Sequence, residues 1–389
     1  MNDRLYWVWA QSALGISRSV KTDEIISYFG DAKTLYFAGE YEWRISGIFT
    51  RGQLNNLTAT PLEKAEKIVS DCDRCGVKIV TPGDGNYPSM LFKLPNLPLV
   101  LYVRGDLDCL KNKISIAVVG ARKGSDIGRR IARALSASLC RSGAMIVSGA
   151  AEGIDSAAHR GALDVGAKTV AVLGCGFGAR YLPENEPLRR EIASNGALIT
   201  EYPPYTPAFP SNFPFRNRII SGLSYGTIVI EANERSGSLR TAEHAAEQGR
   251  DIFAVPGDIT SSMNMGTNRL LRDGAKPVFN AMDVLEEYAA RFPELIDAEK
   301  IETELTMTPS GKPVINKEPE IENVKMTVPQ GVSENAKLIC EAFTEKTMQA
   351  EELILKAKLS TVDFLSAMTE LELLGVVEPL AGKNYKRLK

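Results

Sequence analysis

An α/β fold, with a parallel sheet covered by helices on both faces, is what this sequence predicts, and three observations predict it. Between about residues 114 and 280, short apolar runs rich in β-branched residues alternate with stretches of helical periodicity. The runs ISIAVVG, AMIVSG, KTVAVLG, ALITEY, GTIVIEA and DIFAVPG are apolar at successive positions, as strands buried on both faces are. Glycine-rich loops follow several of them, ahead of the next helical stretch. Together these features describe an extended Rossmann-like domain, in which ligands bind beyond the carboxyl ends of the strands.

Taken in order, residues 1–75 read as a small helical domain, SAM-like or helix-hairpin-helix-like. In TDEIISYFG, Thr22 is expected to cap a helix and Gly30 to stop it. In TPLEKAEKIVSDCDRCG, Thr60 is the expected cap, Pro61 the first helical residue and Gly76 the stop. The second domain, 76–290, opens on a Pro/Gly-punctuated lead-in and then carries the alternating strands and helices. Residues 291–332 are polar, mostly acidic and proline-dotted, and read as a flexible linker. Residues 333–389 follow the order helix, helix, turn, helix, then two short strands around AGKN, which is that of a winged helix.

Composition narrows the function. The 389 residues are 44% hydrophobic and 24% charged with a formal net charge of −2, so any anion site is local rather than a property of the whole surface. No apolar run is long enough to span a membrane, and the N-terminus does not read as a signal peptide. Six scattered cysteines fit a reduced, cytoplasmic setting. Cys72 and Cys75 form a lone C-x-x-C without a second pair, and with only His159 and His244 no histidine-rich metal site is expected.

Five loops carry the chemistry. In VVGARKGSDIGRR, Gly120 ends a strand, Arg122 follows, and Ser125 or Asp126 can cap the next helix. That combination suits a phosphate, and equally a surface arginine on a tight turn. In SGAAEGIDSAAHRGAL, which opens on Ser148, Gly149 and Gly153 allow close backbone approach and Asp155 is the expected helix cap. The stretch is neither G-x-x-x-x-G-K-[ST] nor G-x-G-x-x-G, and His159 fits either a packed or a site-facing position. In PAFPSNFPFRNRIISGLS, a proline-rich loop, Phe209, Phe213 and Phe215 precede Arg216 and Arg218, a pattern suited to stacking bases and holding phosphates. Ser236, Gly237 and Ser238 form an anion nest before a helix, and Gly257 is followed by Gly266 and Asn268 at another helix start. Five such loops exceed what one dinucleotide needs, and no acidic ribose-binding residue stands at an obvious place, so no cofactor is expected.

Taken together, the segments Gly120–Arg122, Ser148–His159, Phe213–Ser224, Ser236–Gly257 and Gly266–Ala275 resemble the DNA-processing protein A family (DprA, also called Smf). The resemblance implies a single-stranded-DNA-binding protein of natural transformation, not an enzyme. Such a protein protects incoming strands, helps load the RecA recombinase, and dimerises through its Rossmann-like domain. It places the family's DNA-binding arginine on Arg122 and its aromatic and basic segment on Phe209 to Arg218. Phe215 departs from a position that is variable and often basic in the family.

Two other readings compete. A Rossmann-like enzyme on a nucleoside phosphate, similar to the phosphoribohydrolases, would use Glu231 and Glu234 as acids, although ERSGSLRTAEHA lacks the double glycine of their loop. A transcription factor would read duplex DNA through LSTVDFLSAMTELELLG, but that helix holds Asp363, Glu370 and Glu372 and no cation. Lys383, Lys386, Arg387 and Lys389 cluster in the wing and tail instead. Ser156, His159 and Asp155 do not make a hydrolase triad, because all three share one helix start.

Overall fold

The computed structural model describes residues 3–297, 332–343, 347–380 and 384–388, in two compact units, Met1–Val314 and Ile315–Lys389. Most of the expected linker, residues 298–331, lies outside the described residues.

Five helices open the first unit: α1 (Arg4–Leu14), α2 (Thr22–Phe29), α3 (Ala32–Ile45), α4 (Arg51–Ala59) and α5 (Leu62–Arg74). Trp7, Trp9, Leu35, Trp43 and Leu57 fill their common core. Gly30 and Gly76 take positive φ and end their helices as expected, but the starts move by one residue. Thr22 is already helical, with Lys21 ahead of it, and its hydroxyl caps nothing. Thr60 closes α4 instead of opening α5, which begins after Pro61. The proline holds the preceding residue extended and ends the helix there.

The sheet has nine strands: β1 (Lys78–Val80), β2 (Leu101–Gly105), β3 (Ser115–Val119), β4 (Met145–Ser148), β5 (Thr169–Leu173), β6 (Ala197–Thr200), β7 (Gly226–Val229), β8 (Asp251–Ala254) and β9 (Lys276–Pro277). Their spatial order is β1-β2-β6-β5-β4-β3-β7-β8-β9. The six runs seen in the sequence are β3 to β8, all parallel, and β9 extends them in the same sense. β1 and β2 add an antiparallel edge, Val103 pairing with Ile199. Within β3, Ala117 and Val119 face one core while Ile116 and Val118 face the other, which is why the run is apolar throughout.

Helices α6 (Asp126–Arg141), α7 (Ile154–Asp164), α8 (Glu186–Asn195), α9 (Asn212–Gly222), α10 (Gly237–Glu247), α11 (Met265–Arg272) and α12 (Met282–Ala289) cover the two faces. The chain winds outward from β3 through β4 and β5 to β6, then returns to β7 on β3's other side. The loops after β3 and β7 therefore part at a topological switch point, where such sheets hold their ligands. The expected loop at 207–224 is largely the helix α9. Pro214 is its third residue, in the first turn, where a missing N–H costs no helical hydrogen bond.

The second unit holds α13 (Glu334–Ala342), β10 (Thr347–Gln349), α14 (Ala350–Ala357), α15 (Thr361–Leu373), β11 (Val377–Leu380) and β12 (Asn384–Arg387). The strands form an antiparallel sheet in the order β10-β12-β11. β10 has three residues and no period to read in the sequence. Phe364, Met368 and Leu371 of α15 fill the core. Glu370 accepts bonds from the Ser333 N–H (2.9 Å) and Oγ (2.6 Å), which holds its carboxyl below the usual range. Lys383 and Lys389 lie outside the described residues.

Candidate nucleic-acid interface

At the switch point lies a cleft of about 460 Å³. Arg122 and Lys123 line it from the loop after β3, Ala151 and Asp155 from the start of α7, Phe213, Arg216 and Asn217 from α9, and Asn233 to Ser238 from the loop after β7. The α9 residues Phe213, Arg216, Asn217 and Ile220 reach it at helical spacing, with Pro214 beside them in the first turn, so one side of a single helix forms a wall.

The rim is cationic. Arg122 and Lys123 are exposed, and neither pairs with a carboxylate among the described residues. Arg122 lies over the Phe213 ring, its guanidinium carbon 5.0 Å from the ring centroid. Phe213 is 8% exposed and packs against Tyr181 with centroids 4.9 Å apart. Ser125 caps α6 through the Gly128 N–H at 2.9 Å, so the helix behind Arg122 starts where the sequence indicated.

The floor is different. Arg216 is 4% exposed and donates from Nη1 to the carbonyls of Gly149 (3.1 Å) and Val172. Burial lowers its pKa, against the pull of Asp155. Asp155 is buried too, and burial raises its pKa, opposed chiefly by Arg216 and then by backbone N–H groups of Ala151 and Gly149. Gly149 separates the two, since a Cβ there would come within 2.6 Å of Asp155 Oδ2 and 2.7 Å of Arg216 Nη2. Asp155 is not the helix cap. Gly153, at φ 80°, holds that place, and its missing side chain lets the 121–122 backbone lie against it.

Several expected site residues are occupied elsewhere. Arg218 is 3% exposed and pairs with the buried Glu201 at 2.8 Å, on the side of α9 away from the cleft. Phe215 stacks on that same guanidinium, 4.0 Å from ring centroid to carbon. Phe209 is exposed beyond the cleft. Ser148 is buried and donates to the Val118 carbonyl at 2.6 Å. Asn268 clamps its own loop, accepting from the Gly257 N–H (3.2 Å) and donating to the Gly257 carbonyl (3.1 Å). Gly120 packs under Ile154. Ser236, Gly237 and Ser238 do line the cleft, with Ser236 capping α10 through Ser238 N.

His159 is fully buried beside Thr169 Oγ1 at 2.8 Å, and burial drives its pKa down to about 3, so it is a packed neutral histidine. Glu231, an acid in the enzyme reading, accepts from the Ser125 N–H at 2.8 Å and from its hydroxyl, and so anchors the start of α6. Cys72 is buried, its thiol pushed up to about 12, chiefly by burial. No cluster of potential metal ligands occurs among the described residues.

Lys123, Asn217 and Tyr181 complete the site without having been singled out from the sequence. Lys123 sits next to Arg122 in the same loop and was legible there. Asn217 donates to the Gly237 carbonyl at 3.3 Å and ties α9 to the loop after β7, which only the α9 helix reveals. Tyr181 lies in a long connection after β5 that carries no periodic signal.

A family model described as DNA recombination-mediator protein A matches residues 78–289. The chain is 37% identical over 228 residues to the DNA processing protein DprA of Bacillus subtilis, covering 59% of this chain and 77% of that one. It is 32% identical over 355 residues to Protein Smf of Synechocystis sp., covering 86% and 85%. Among solved structures, DNA processing protein A of Streptococcus pneumoniae is similar with a TM-score of 0.64 and 33% identity, over 74% of this chain and 98% of that one. DNA processing protein A of Helicobacter pylori, described for its single-stranded DNA binding mode, is similar with a TM-score of 0.50 and 29% identity, over 55% and 97%.

Proposed function

This chain belongs to the DNA recombination-mediator protein A family, and on that premise we propose that it binds single-stranded DNA in the cleft at the switch point. One observation carries the reading: Arg122 and Lys123 stand on the rim of a cleft lined by Phe213 and the start of α10, with no carboxylate paired to either among the described residues. A free guanidinium and ammonium take backbone phosphates. An aromatic ring beside them takes a base face, a contact tolerant of sequence. Gly149 and Gly153 serve this site by geometry, letting the Asp155–Arg216 floor and the Arg122 loop close up behind it.

As the resemblance implies, the bound strand is one taken up during natural transformation, and the protein's partner is the RecA recombinase. Copies pair through the 76–290 domain, in the cytoplasm. The helix-strand-helix-helix-strand-strand order of 333–389 supports a winged helix there, with α15 facing proteins rather than a duplex. The chemistry is binding rather than turnover, a reading supported by the commitment of Glu231 to Ser125.

The test is a titration of labelled oligo-dT and of a matched duplex at several salt concentrations. Single strand is expected to bind far more tightly and to weaken as salt rises. Equal affinity for the two forms, or release of free base from a nucleoside monophosphate, overturns the reading.

A further inference from the structure

We propose that a second, smaller pocket behind Tyr181 receives one unstacked base of the bound strand. This proposal rests on the single-strand reading above. The pocket, about 300 Å³, lies between α8, β2 and the connection after β5. Its walls are largely apolar, from Leu173, Phe177 and Leu198, and Arg104 caps the Phe177 ring at 4.9 Å. A planar ring of nucleobase size fits such a slot, stacking on an aromatic and a guanidinium.

Of the buried polar groups that lack partners among the described residues, two belong to side chains lining the pocket. Arg189 is 9% exposed in its side chain. Its Nε and Nη2 bind Glu186 and the carbonyls of Tyr181 and Leu182, while Nη1 is buried with no partner. The Tyr181 hydroxyl is likewise buried without one. Unmet buried donors are costly, and a small turn of either side chain toward the pocket would let a base edge bearing a carbonyl or ring nitrogen satisfy them. A bare phosphate fits less well, because Glu186 also lines the pocket and most of the wall is apolar. Position favours the strand as the source: the opposite side of the Tyr181 ring packs on Phe213, which floors the cleft. A base leaving the cleft therefore has one aromatic ring to pass.

The experiment uses the full chain and oligo-dT trimmed to the shortest length that binds at full affinity. A single abasic residue is walked along that oligonucleotide and affinity is read by fluorescence anisotropy. One abasic position is expected to weaken binding about fivefold or more, the value of one lost stacking contact. Ala193→Phe, which fills the pocket, is expected to weaken the unmodified strand by a similar factor and to make that abasic position silent. Phe177→Ala carries the same expectation and serves if Ala193→Phe fails to fold. A flat abasic walk, or pocket variants that bind every strand as the unaltered protein does, overturns the proposal. If Arg122→Ala loses binding while the pocket variants lose none, the pocket alone is refuted. If the unaltered protein binds no strand, the single-strand reading falls and the pocket with it.

Discussion

The rim of the cleft and the buried flanks of α9 behind it contain the same residue type in opposite states. Arg122 and Lys123 stand in solvent with no acid against them among the described residues, whereas Arg216 and Arg218 are 4% and 3% exposed and bonded to carbonyls or to Glu201. Three arginines that the sequence groups together therefore divide into one that can meet a ligand and two that hold the structure meeting it. Burial decides the difference. A guanidinium taken out of water needs a compensating partner, here the carbonyls around Arg216 and the Glu201 carboxylate at Arg218, and burial itself keeps both from a passing phosphate.

The largest expected effect tests the buried pair on the far side of α9. Glu201→Ala leaves Arg218 buried without its acid and should cost about 3–5 kcal/mol of unfolding free energy. The paired change Glu201→Leu with Arg218→Met should recover most of that. A loss under about 1 kcal/mol for the single change, measured by denaturant midpoint, would mean that the pair holds little. At the rim the pattern reverses. Arg122→Ala should weaken oligo-dT binding about tenfold to a hundredfold, the scale of charge-assisted hydrogen bonds. Its unfolding midpoint should move by no more than about 0.5 kcal/mol. Lys123→Ala should lower the slope of log affinity against log salt by about one.

An effect of the same order as the Glu201 change is expected from strong acid, reached only gradually. The pKa of His159 falls from 6.5 to about 3 on folding, so between those values the unfolded chain binds more protons than the native one. Stability should therefore rise with pH across that window, and be lost as pH falls from 6.5 toward 3, by up to about 1.4 kcal/mol per unit. Asp155, whose pKa is raised by burial, works in the opposite sense above its ordinary value and flattens part of the curve. His159→Gln should reduce the loss on acidification. An unchanged slope in urea melts at pH 4 to 6 would show that another group governs it. The smallest effect belongs to α15, whose exposed residues include Val362, Asp363 and Leu365 and no cation. Val362→Ser and Glu372→Ala should change oligo-dT affinity less than about twofold, and a larger change would give that helix a place on the strand.

Much of this was legible before any coordinates. Strands β3 to β8 announced themselves because burial on both faces leaves no polar position in the run. Arg122, Gly149, Gly153 and the Ser236–Ser238 nest were found through their place after those strands, and all belong to the cleft or its immediate support. Arg218, Phe215 and Asn268 were misassigned because a residue's type does not say which way it points. Once 212–222 is a helix, Arg218 falls on the opposite side from Phe213, and Glu201 is waiting there. Asp155 misled for a related reason: the cap position went to Gly153, one of the few residues at ease at positive φ.

Sequence pattern alone was enough for the α/β architecture, the family and the strip of loops that lines the cleft, because hydrophobic period and glycine placement are local signals repeated along the chain. Which cations remain free, which acid neutralises which arginine, and the pocket behind Tyr181 came from the folded protein. Those properties arise between residues far apart in sequence, Glu201 with Arg218, Tyr181 with Phe213, Glu231 with Ser125. Burial and partnership are set by such meetings, and no local stretch encodes them.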